Sequence, residues 1–402
     1  MKPPFVIVGA GQAGIKAAET LRQKGYDGDL VMMGEEPFLP YQRPPLSKAY
    51  LQGEMDEERL FFRSKAYFDT AAIDLRTNAK VVSIDPAGRC IALSDGSILA
   101  YASLLLTTGT RARRIPLRGV DLDGVFSLRT IADVAAIRAA LQEAERIVIL
   151  GGGYVGMEFA AVAAKLGKTV SVIEARPRIM ERSVAPEISA YFQTLHRENG
   201  VTLLLERSVS HLAGTGHVSA AVLADGTEIP ADLVLVAVGA EPVTDLAEAA
   251  GLAIDNGISV DAFGRTSAAR IYAAGDCTAF PAARYRRTIR LESVQNAIDQ
   301  AKAVAGTMLG ETEPYDPVPW FWSDQYDAKL QIAGLSAGYD DAEIEGDPAS
   351  GSFGMRYYRA GRLIAVDAIN APRIHMLARR ELQSSDATSQ TARTPAAATA
   401  AE

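Results

Sequence analysis

Cysteine is scarce in this chain, which has 402 residues and only two cysteines, Cys90 and Cys277. The two lie far apart in sequence, and neither forms a C-x-x-C pair or a metal-ligand pattern with the four histidines. The pattern excludes a disulfide scaffold and predicts that the chain has no metal site. Cys277 is expected to serve packing rather than redox chemistry.

Long hydrophobic runs are missing too, and no segment approaches the length of a membrane span. The first predicted strand begins at Phe5, so we expect no leader sequence and a cytoplasmic location. The net charge of −8 disfavours nucleic acid as the main partner. With 48% hydrophobic and 22% charged residues, the composition is typical of a soluble globular protein, and the length predicts two or three domains.

The sequence does contain two glycine fingerprints of the form G-x-G-x-x-G. Residues 9–14 read Gly-Ala-Gly-Gln-Ala-Gly, and residues 151–156 read Gly-Gly-Gly-Tyr-Val-Gly. Each follows an apolar run and opens a helical pattern that ends at a glycine before a second apolar run. The predicted strands are 5–8, 30–33, 146–150 and 169–173, and the predicted helices are 13–24 and 154–166. Such βαβ units bind dinucleotides, and two of them predict electron transfer between two dinucleotides.

Each position of the fingerprint has its own task. The first glycine makes the tight turn, the second lets a pyrophosphate approach the backbone, and the third lets the helix pack closely on the strand. The helix N-terminus supplies N–H groups and partial positive charge. Glu35 and Glu174 follow the second strands, where an acidic residue binds the ribose hydroxyls. A carboxylate there repels a 2′-phosphate and favours NADH over NADPH, although the nearby Arg176 could soften that preference.

Two more apolar runs, 103–110 and 233–240, end in small residues and glycine, as interior parallel strands do near a ligand. Each closes the module that one fingerprint began, which indicates a distant internal duplication. Beyond residue 315 the pattern changes to short segments typical of a small α+β domain. The predicted fold class is α/β, with two Rossmann-like dinucleotide-binding domains and this small C-terminal domain.

Residues 266–276 form a predicted strand that ends in Gly275 and Asp276. The segment resembles the second flavin motif of flavoproteins with two dinucleotides, in which the aspartate bonds the ribitol chain. This resemblance implies a glutathione-reductase-like arrangement with FAD in the N-terminal module and NADH in the central one. The predicted domains are an FAD-binding domain (1–115 and 245–313), an NADH-binding domain (116–244), a C-terminal domain (314–382) and a disordered tail (383–402).

Four sequence blocks make the resemblance specific, at residues 41–48, 152–158, 291–297 and 319–326. In that order they resemble the ferredoxin reductases of bacterial oxygenase systems, the group that contains putidaredoxin reductase and the reductase components of aromatic-ring dioxygenases. The resemblance covers roughly residues 5–369. It implies noncovalent FAD, NADH as hydride donor and a 2Fe-2S ferredoxin as acceptor, which supplies a haem-thiolate monooxygenase or a Rieske dioxygenase.

The resemblance also implies the residues of the site. Lys48 lies beside the reactive flavin nitrogen and pairs with Glu158 near the nicotinamide, so these two are the expected catalytic residues. The residues expected to bind FAD are Gly9, Gly11, Ala13, Gly14, Glu35, Arg43, Lys48, Val82, Thr108, Gly109, Arg129, Gly275, Asp276, Val294 and Trp322. The residues expected to bind NADH are Gly151, Gly152, Gly153, Tyr154, Val155, Gly156, Glu158, Glu174, Arg182, Gly239 and Glu292.

The electron acceptor is inferred from what the chain lacks. Disulfide reductases of this fold carry a cysteine pair after the first βαβ unit, and peroxide- and oxygen-reducing relatives carry one cysteine there, whereas this chain has none before Cys90. Electrons are therefore expected to leave singly to an external carrier. An acidic ferredoxin would suit the basic run that contains Arg287 and Arg290, the predicted partner-binding residues, although a solvated loop would look the same.

Two other functions remain open from the sequence alone. One is an NADH oxidase or rubredoxin reductase of the same architecture, and the other is a redox-sensing flavoprotein. The sequence does not fix the oxygenase served, the ferredoxin or the oligomeric state, which is expected to be a monomer or a homodimer.

Overall fold

The structure is a computed structural model that describes residues 2–391 of the chain. It comprises two compact units, Met1–Pro317 and Val318–Glu402. The sequence-based boundary, at residue 314, lies a few residues before the observed one. None of the helices within residues 2–391 is long and apolar enough to cross a lipid bilayer.

The helices and strands of these residues are labelled in chain order. The helices are α1 (Gln12–Gln23), α2 (Ala49–Gln52), α3 (Lys65–Thr70), α4 (Ile131–Glu143), α5 (Tyr154–Lys165), α6 (Pro186–Glu198), α7 (Asp245–Ala249), α8 (Val294–Met308) and α9 (Pro372–Thr391). The strands are β1 (Phe5–Val8), β2 (Leu30–Met33), β3 (Ile73–Arg76), β4 (Val81–Asp85), β5 (Cys90–Leu93), β6 (Ile98–Ala100), β7 (Ser103–Leu106), β8 (Thr110–Ala112), β9 (Val125–Phe126), β10 (Arg146–Leu150), β11 (Thr169–Glu174), β12 (Thr202–Leu205), β13 (Val209–Thr215), β14 (His217–Leu223), β15 (Glu228–Pro230), β16 (Leu233–Val236), β17 (Ala240–Pro242), β18 (Ile258–Ser259), β19 (Ile271–Ala273), β20 (Thr278–Ala282), β21 (Arg287–Ile289), β22 (Trp320–Gln325), β23 (Ala328–Gly334), β24 (Asp341–Asp347), β25 (Ser352–Arg359) and β26 (Arg362–Ile369).

The first unit contains two parallel sheets of five strands with matching topology. One has the strand order β19-β7-β1-β2-β3 and the other β9-β16-β10-β11-β12. In each, a helix joins the two strands that flank it in sequence, and a three-stranded antiparallel meander precedes the strand that closes the module. Both faces of these sheets are buried, and for this reason the strands are continuous apolar runs such as Leu233–Val236. The matched order supports the duplication inferred from the sequence.

The modules differ in the origin of one edge strand. In the second sheet this strand, β9, comes before the fingerprint, whereas in the first sheet β19 comes after the whole second module. The second module is therefore inserted into the first. The outgoing connection contains β8 and the returning connection contains β17, and these two strands pair antiparallel. The division of the first unit into an FAD-binding domain of two segments and an NADH-binding domain stays a prediction.

The second unit is a five-stranded antiparallel sheet, in the order β22-β23-β26-β25-β24, with α9 packed on it. His375, Ala378 and Leu382 lie on the buried face of α9. The helix continues through residues 383–391, where a disordered tail is expected from the Ser/Thr/Ala composition, so composition misjudged this part. Residues 392–402 of the predicted tail lie outside the described residues.

A buried carboxyl group lies inside the sheet of the second unit. Asp367 on β26 is 1% exposed and accepts a hydrogen bond of 2.5 Å from the hydroxyl group of Tyr357 on β25. Burial raises the pKa of Asp367 to about 7, because the charged form is poorly solvated there, while the bond from Tyr357 opposes the shift. Since this pKa lies above that of an unfolded chain, the contribution of Asp367 to stability is complete at low pH and is lost as the pH rises toward 7.

We predict that Asp367→Asn removes this pH dependence, because the amide side chain of asparagine does not ionise in this pH range. The melting temperature of the variant minus that of the parent should be greater at pH 8.5 than at pH 5. Tryptophan fluorescence measures it selectively, since Trp320 and Trp322 are the only tryptophans and both lie in this unit. Asp341→Asn, at an exposed position on β24, is the matched control. A difference that stays constant with pH would contradict the assignment.

Candidate active site

Both glycine turns bring a helix unusually close to a strand. At Gly14, a methyl group would lie 2.0 Å from the carbonyl oxygen of Gly9, and at Gly156 it would lie 2.2 Å from that of Gly151. Gly9 and Gly151 themselves have φ angles of +114° and +107°, which side chains disfavour. Any side chain at Gly14 or Gly156 would overlap a carbonyl oxygen, and any side chain at Gly9 or Gly151 would be strained. The fold therefore requires the first and third glycines of each fingerprint.

The middle positions have a different environment. A methyl group on Gly11 or on Gly153 would meet no protein atom within 4 Å. These glycines are the N-caps of α1 and α5, and neither helix has a side-chain cap or an acidic residue in its first turn. The first N–H groups of both helices therefore face open space, which suits a pyrophosphate.

The acidic residues that follow the second strands do not occupy equivalent positions. Glu174 directly follows Ile173, the last β11 residue paired with β10, and its carboxylate accepts hydrogen bonds from Gly152 N (2.7 Å) and Arg176 N (2.8 Å). Gly34 takes the equivalent place in the first module. Glu35 comes one residue later, and its side chain is 68% exposed, 3.8 Å from Lys80. The structure thus fixes Glu174 at its glycine turn but leaves Glu35 on the surface.

A buried ion pair joins the two modules. Lys48 Nζ of the first module lies 2.6 Å from Glu158 Oε2 on α5 of the second, and the side chains are only 20% and 6% exposed. The hydroxyl group of Ser47 donates a hydrogen bond of 2.6 Å to the same carboxylate oxygen. Pro44 and Pro45 begin the short 3₁₀ turn, Pro44–Ser47, that places both residues. Both predicted catalytic residues are therefore brought together.

A second charged cluster joins Arg43 and Asp276 of the first module to Arg129 of the second. Arg43 donates to the carboxylate of Glu36 (2.7 Å), the hydroxyl of Tyr41 (2.9 Å) and the carbonyl oxygen of Arg129 (2.6 Å). Arg129 lies 3.6 Å from Asp276. Burial raises the pKa of Asp276 to about 6, and the positive charge of Arg129 opposes this rise.

The turn that carries Asp276 is held by a buried amide. Gln300 on α8 accepts hydrogen bonds through Oε1 from Gly275 N (2.8 Å) and from the hydroxyl group of Thr278 (2.9 Å). α8 begins at Val294, after Ser293 caps it by accepting from Asn296 N. The start of α8 and the Gly275–Asp276 turn are thus fixed relative to each other through Gln300.

Comparison with known proteins decides the family. The pyridine nucleotide-disulphide oxidoreductase family model matches residues 3–301, and a reductase C-terminal model matches residues 320–399. The chain belongs to the pyridine nucleotide-disulphide oxidoreductase family. It is a ferredoxin reductase of that family, which uses FAD and NAD(H).

Relatives support this placement over nearly the whole chain. A ferredoxin–NAD(P)(+) reductase of a Sphingomonas species is 45% identical over 93% of this chain and 91% of its own. The crystal structure of the ferredoxin reductase for the CYP199A2 system of Rhodopseudomonas palustris has a TM-score of 0.92 and 42% identity, and the match covers 94% of each chain. A covalent putidaredoxin reductase–putidaredoxin complex also has a TM-score of 0.92, with 37% identity over 94% of this chain and 93% of that one.

The residues present suit FAD in this ferredoxin reductase. The uncapped start of α1 and the open side of Gly11 would receive the pyrophosphate, and Asp276, Arg43 and Arg129 form the polar wall beside it. When bound, FAD supplies the ability to accept two electrons together and to release them one at a time. The protein's part is to hold it, exclude water and place charges near it.

Several other predicted residues lie at the ends of the strands that form the two sites. Gly109 (φ +66°) and Gly239 (φ +104°) occupy matching turns after β7 and β16. Thr108 donates to Val243 O (2.6 Å), and Ala13 packs within 3.0 Å of a methyl group built on Gly275. Thr108, Gly109 and Gly239 follow the carboxyl ends of parallel strands, and Ala13 lies in the first turn of α1, so the contacts of these residues with the nucleotides stay predictions.

The remaining residues predicted to bind FAD or NADH lie in different environments. Val82, Val155 and Arg182 are exposed, and Glu292 is bound to Arg290. Tyr154 begins α5 and is partly buried. Trp322 lies on β22 of the second unit, so its place beside the flavin stays a prediction. Within residues 2–391, no group of three His, Cys, Asp or Glu side chains could hold a metal ion.

Sequence reasoning missed four residues that support the site: Glu36, Tyr41, Ser47 and Gln300. Tyr41 and Ser47 lie in the block that carries the resemblance, so their position in the sequence was a usable signal. Glu36 follows Glu35 directly, and the choice between the two carboxylates depends on the fold of the loop. Gln300 gives no local signal, because its partners lie 22 and 25 positions away.

We predict that replacing either of two glycines of the second module by alanine has a different effect at each position. Gly156→Ala should lower the melting temperature strongly and reduce the yield of folded protein, because its methyl group would overlap the Gly151 carbonyl. Gly153→Ala should leave FAD content and melting temperature unchanged but weaken NAD⁺ binding by about tenfold or more, since the methyl group fills the space for the pyrophosphate. Titration of NAD⁺ against the flavin spectrum measures the affinity. Equal NAD⁺ affinity in parent and Gly153→Ala would place the nucleotide elsewhere.

Proposed function

We propose that this ferredoxin reductase oxidises NADH, takes its two electrons onto FAD and delivers them singly to a 2Fe-2S ferredoxin of a bacterial oxygenase system. The observation that carries the proposal is the Lys48–Glu158 pair, which joins the two nucleotide modules through a buried contact of 2.6 Å. Hydride transfer requires the two rings to stack closely with water excluded. We infer that this charge pair, which spans the two modules, lies close to such a stack.

Lys48 and Glu158 have complementary tasks in this proposal. The ammonium group of Lys48 provides a positive charge for the negative charge that reduction brings to the flavin side. Glu158 holds that ammonium group from α5, whose N-terminal turn carries the fingerprint that binds the nicotinamide nucleotide. In this proposal the ion pair positions Lys48 with respect to both nucleotides.

The cysteines support an external acceptor. Cys90 lies on β5, part of the antiparallel meander, and Cys277 is buried behind Asp276 with its thiol directed to Ala274 O at 3.5 Å. Burial raises the pKa of the Cys277 thiol, so it is not prepared to act as a thiolate. Because the single thiol beside the Gly275–Asp276 turn has no cysteine partner and is not prepared to react, electrons leave for a separate carrier.

The basic run before α8 is proposed as the docking face, with one change in the residues that carry it. Arg286 and Arg287 are exposed, whereas the side chain of Arg290 is only 12% exposed and is bound to Glu292 and to Asp276 O. Arg290 therefore belongs to the wall of the site, and charge reversal there would disturb the flavin region itself. Arg286 and Arg287 are the better candidates for attracting an acidic ferredoxin.

Acceptor specificity distinguishes the proposal from its alternatives. Anaerobic stopped-flow mixing with NADH should bleach the flavin rapidly, and a 2Fe-2S ferredoxin should reoxidise it far faster than oxygen or rubredoxin does. Fast reoxidation by oxygen would instead make the protein an NADH oxidase, and faster reaction with rubredoxin would make it a rubredoxin reductase. A long-lived NADH complex with slow turnover would indicate a sensor. Reconstitution with a haem-thiolate monooxygenase and with a Rieske dioxygenase then identifies the system served.

We predict that Arg287→Glu raises the KM for an acidic 2Fe-2S ferredoxin by about tenfold at low salt and leaves the reduction of ferricyanide unchanged. Reversal of an exposed charge acts on encounter, so the difference from the parent should shrink as ionic strength rises. Arg197→Glu, an equally exposed arginine on α6, is the control and should retain the parent KM. A loss that is equal with both acceptors would contradict docking at Arg287.

A further inference from the structure

Ser47 carries a buried hydroxyl group and is not among the residues predicted to bind either nucleotide. It is 6% exposed and ends the Pro44–Ser47 turn, directly before Lys48. Its Oγ lies 2.6 Å from Glu158 Oε2 and 3.5 Å from Pro44 O. A carboxylate can only accept, so the single hydroxyl proton goes to the nearer and charged acceptor.

The same carboxylate oxygen receives Lys48, and Ser47 and Lys48 are adjacent in sequence. Lysine has a long flexible side chain with strongly hydrated charge, so one contact fixes it poorly. The second donor on Glu158 Oε2 restricts the rotamer of the carboxylate, which in turn fixes where the ammonium group of Lys48 lies. Lys48 Nζ also donates to Pro44 O at 3.4 Å. Its ammonium group therefore contacts one acceptor in the Pro44–Ser47 turn and one on α5, the carboxylate of Glu158.

We propose that Ser47 is a positioning residue, which holds Glu158 in the orientation that keeps Lys48 at the junction of the two modules during hydride transfer. The inference rests on the proposed role of the Lys48–Glu158 pair. It adds that the pair is a three-membered unit, in which the hydroxyl group acts through the carboxylate and touches neither nucleotide.

The first test measures the pair directly, without turnover. Brief labelling with acetic anhydride followed by mass spectrometry reports how accessible and how free each lysine amine is. In Ser47→Ala, Lys48 should acquire label several-fold faster than in the parent, relative to the exposed Lys329 as internal reference. Ser103→Ala is the matched control, because Ser103 is equally buried but begins β7, at the end of the sheet away from the glycine turn. Unchanged labelling of Lys48 in Ser47→Ala would overturn the proposal.

The second test uses a double-mutant cycle on flavin reduction by NADH. Ser47→Ala should slow the limiting rate constant by about tenfold, the usual effect of removing a hydrogen bond to a charged group. FAD content and the NAD⁺ dissociation constant should stay within twofold of the parent, and Ser47→Thr, which keeps the hydroxyl group, should restore most of the rate. In a Glu158→Ala background, Ser47→Ala should have less than a twofold effect.

The outcomes separate this inference from the function on which it rests. A tenfold effect of Ser47→Ala that persists in the Glu158→Ala background would show that Ser47 acts through the fold and not through the carboxylate, which overturns the proposal. Faster labelling with an unchanged reduction rate would overturn it as well, because the pair would then have no part in hydride transfer. Failure of the parent protein to be reduced by NADH would instead sink the proposed function, while the labelling result would still stand as a statement about geometry.

Discussion

At each glycine turn, the helix lies very close to the strand before it. The carbonyl oxygen of the first glycine fills the space that a side chain on the third glycine would need. This contact sets the position of the helix start relative to the carboxyl end of the sheet, and everything at the site is placed from there. In both modules the uncapped N–H groups lie beside the open side of the middle glycine, and in the second module the carboxylate of Glu174 also binds at this turn. The chain satisfies the constraint twice, with Gly9 and Gly14 and with Gly151 and Gly156.

Several charged groups with little exposure lie where the two modules meet. Glu158 is buried, and Arg43, Arg129 and Asp276 are partly buried, so the ion pair at Lys48 is not expected to offset the cost of desolvation by stability alone. The raised pKa of Asp276 shows that its desolvation is incompletely compensated by the protein itself. A ligand with polar atoms of its own, such as the ribitol chain and phosphates of FAD, would complete this network.

The local parts of this architecture could be predicted from the sequence, and the long-range parts could not. The strands Phe5–Val8, Leu30–Met33 and Arg146–Leu150 were predicted to the residue, because a glycine directly follows each apolar run. The Lys48–Glu158 pair was predicted only through resemblance to a family, since nothing in the spacing of two residues so far apart indicates a contact. The helix through residues 383–391 was missed because this segment is rich in serine and threonine, a composition typical of disorder.

The insertion of one module into the other explains how a contact as short as that between Lys48 and Glu158 can be specified. Two connections cross between the modules, and they are hydrogen-bonded to each other as the antiparallel pair β8 and β17. Arg111 on the outgoing strand binds Glu241 on the returning strand and Asp245 beyond it. A single linker would leave the modules free to rotate, whereas a paired ribbon restricts rotation about its own axis. The returning strand also leads to β19 and Asp276, so the proposed FAD site draws on chain segments from both sides of the insertion, and the ribbon, the Arg129–Asp276 contact and the Lys48–Glu158 pair occur together in this arrangement of the two modules.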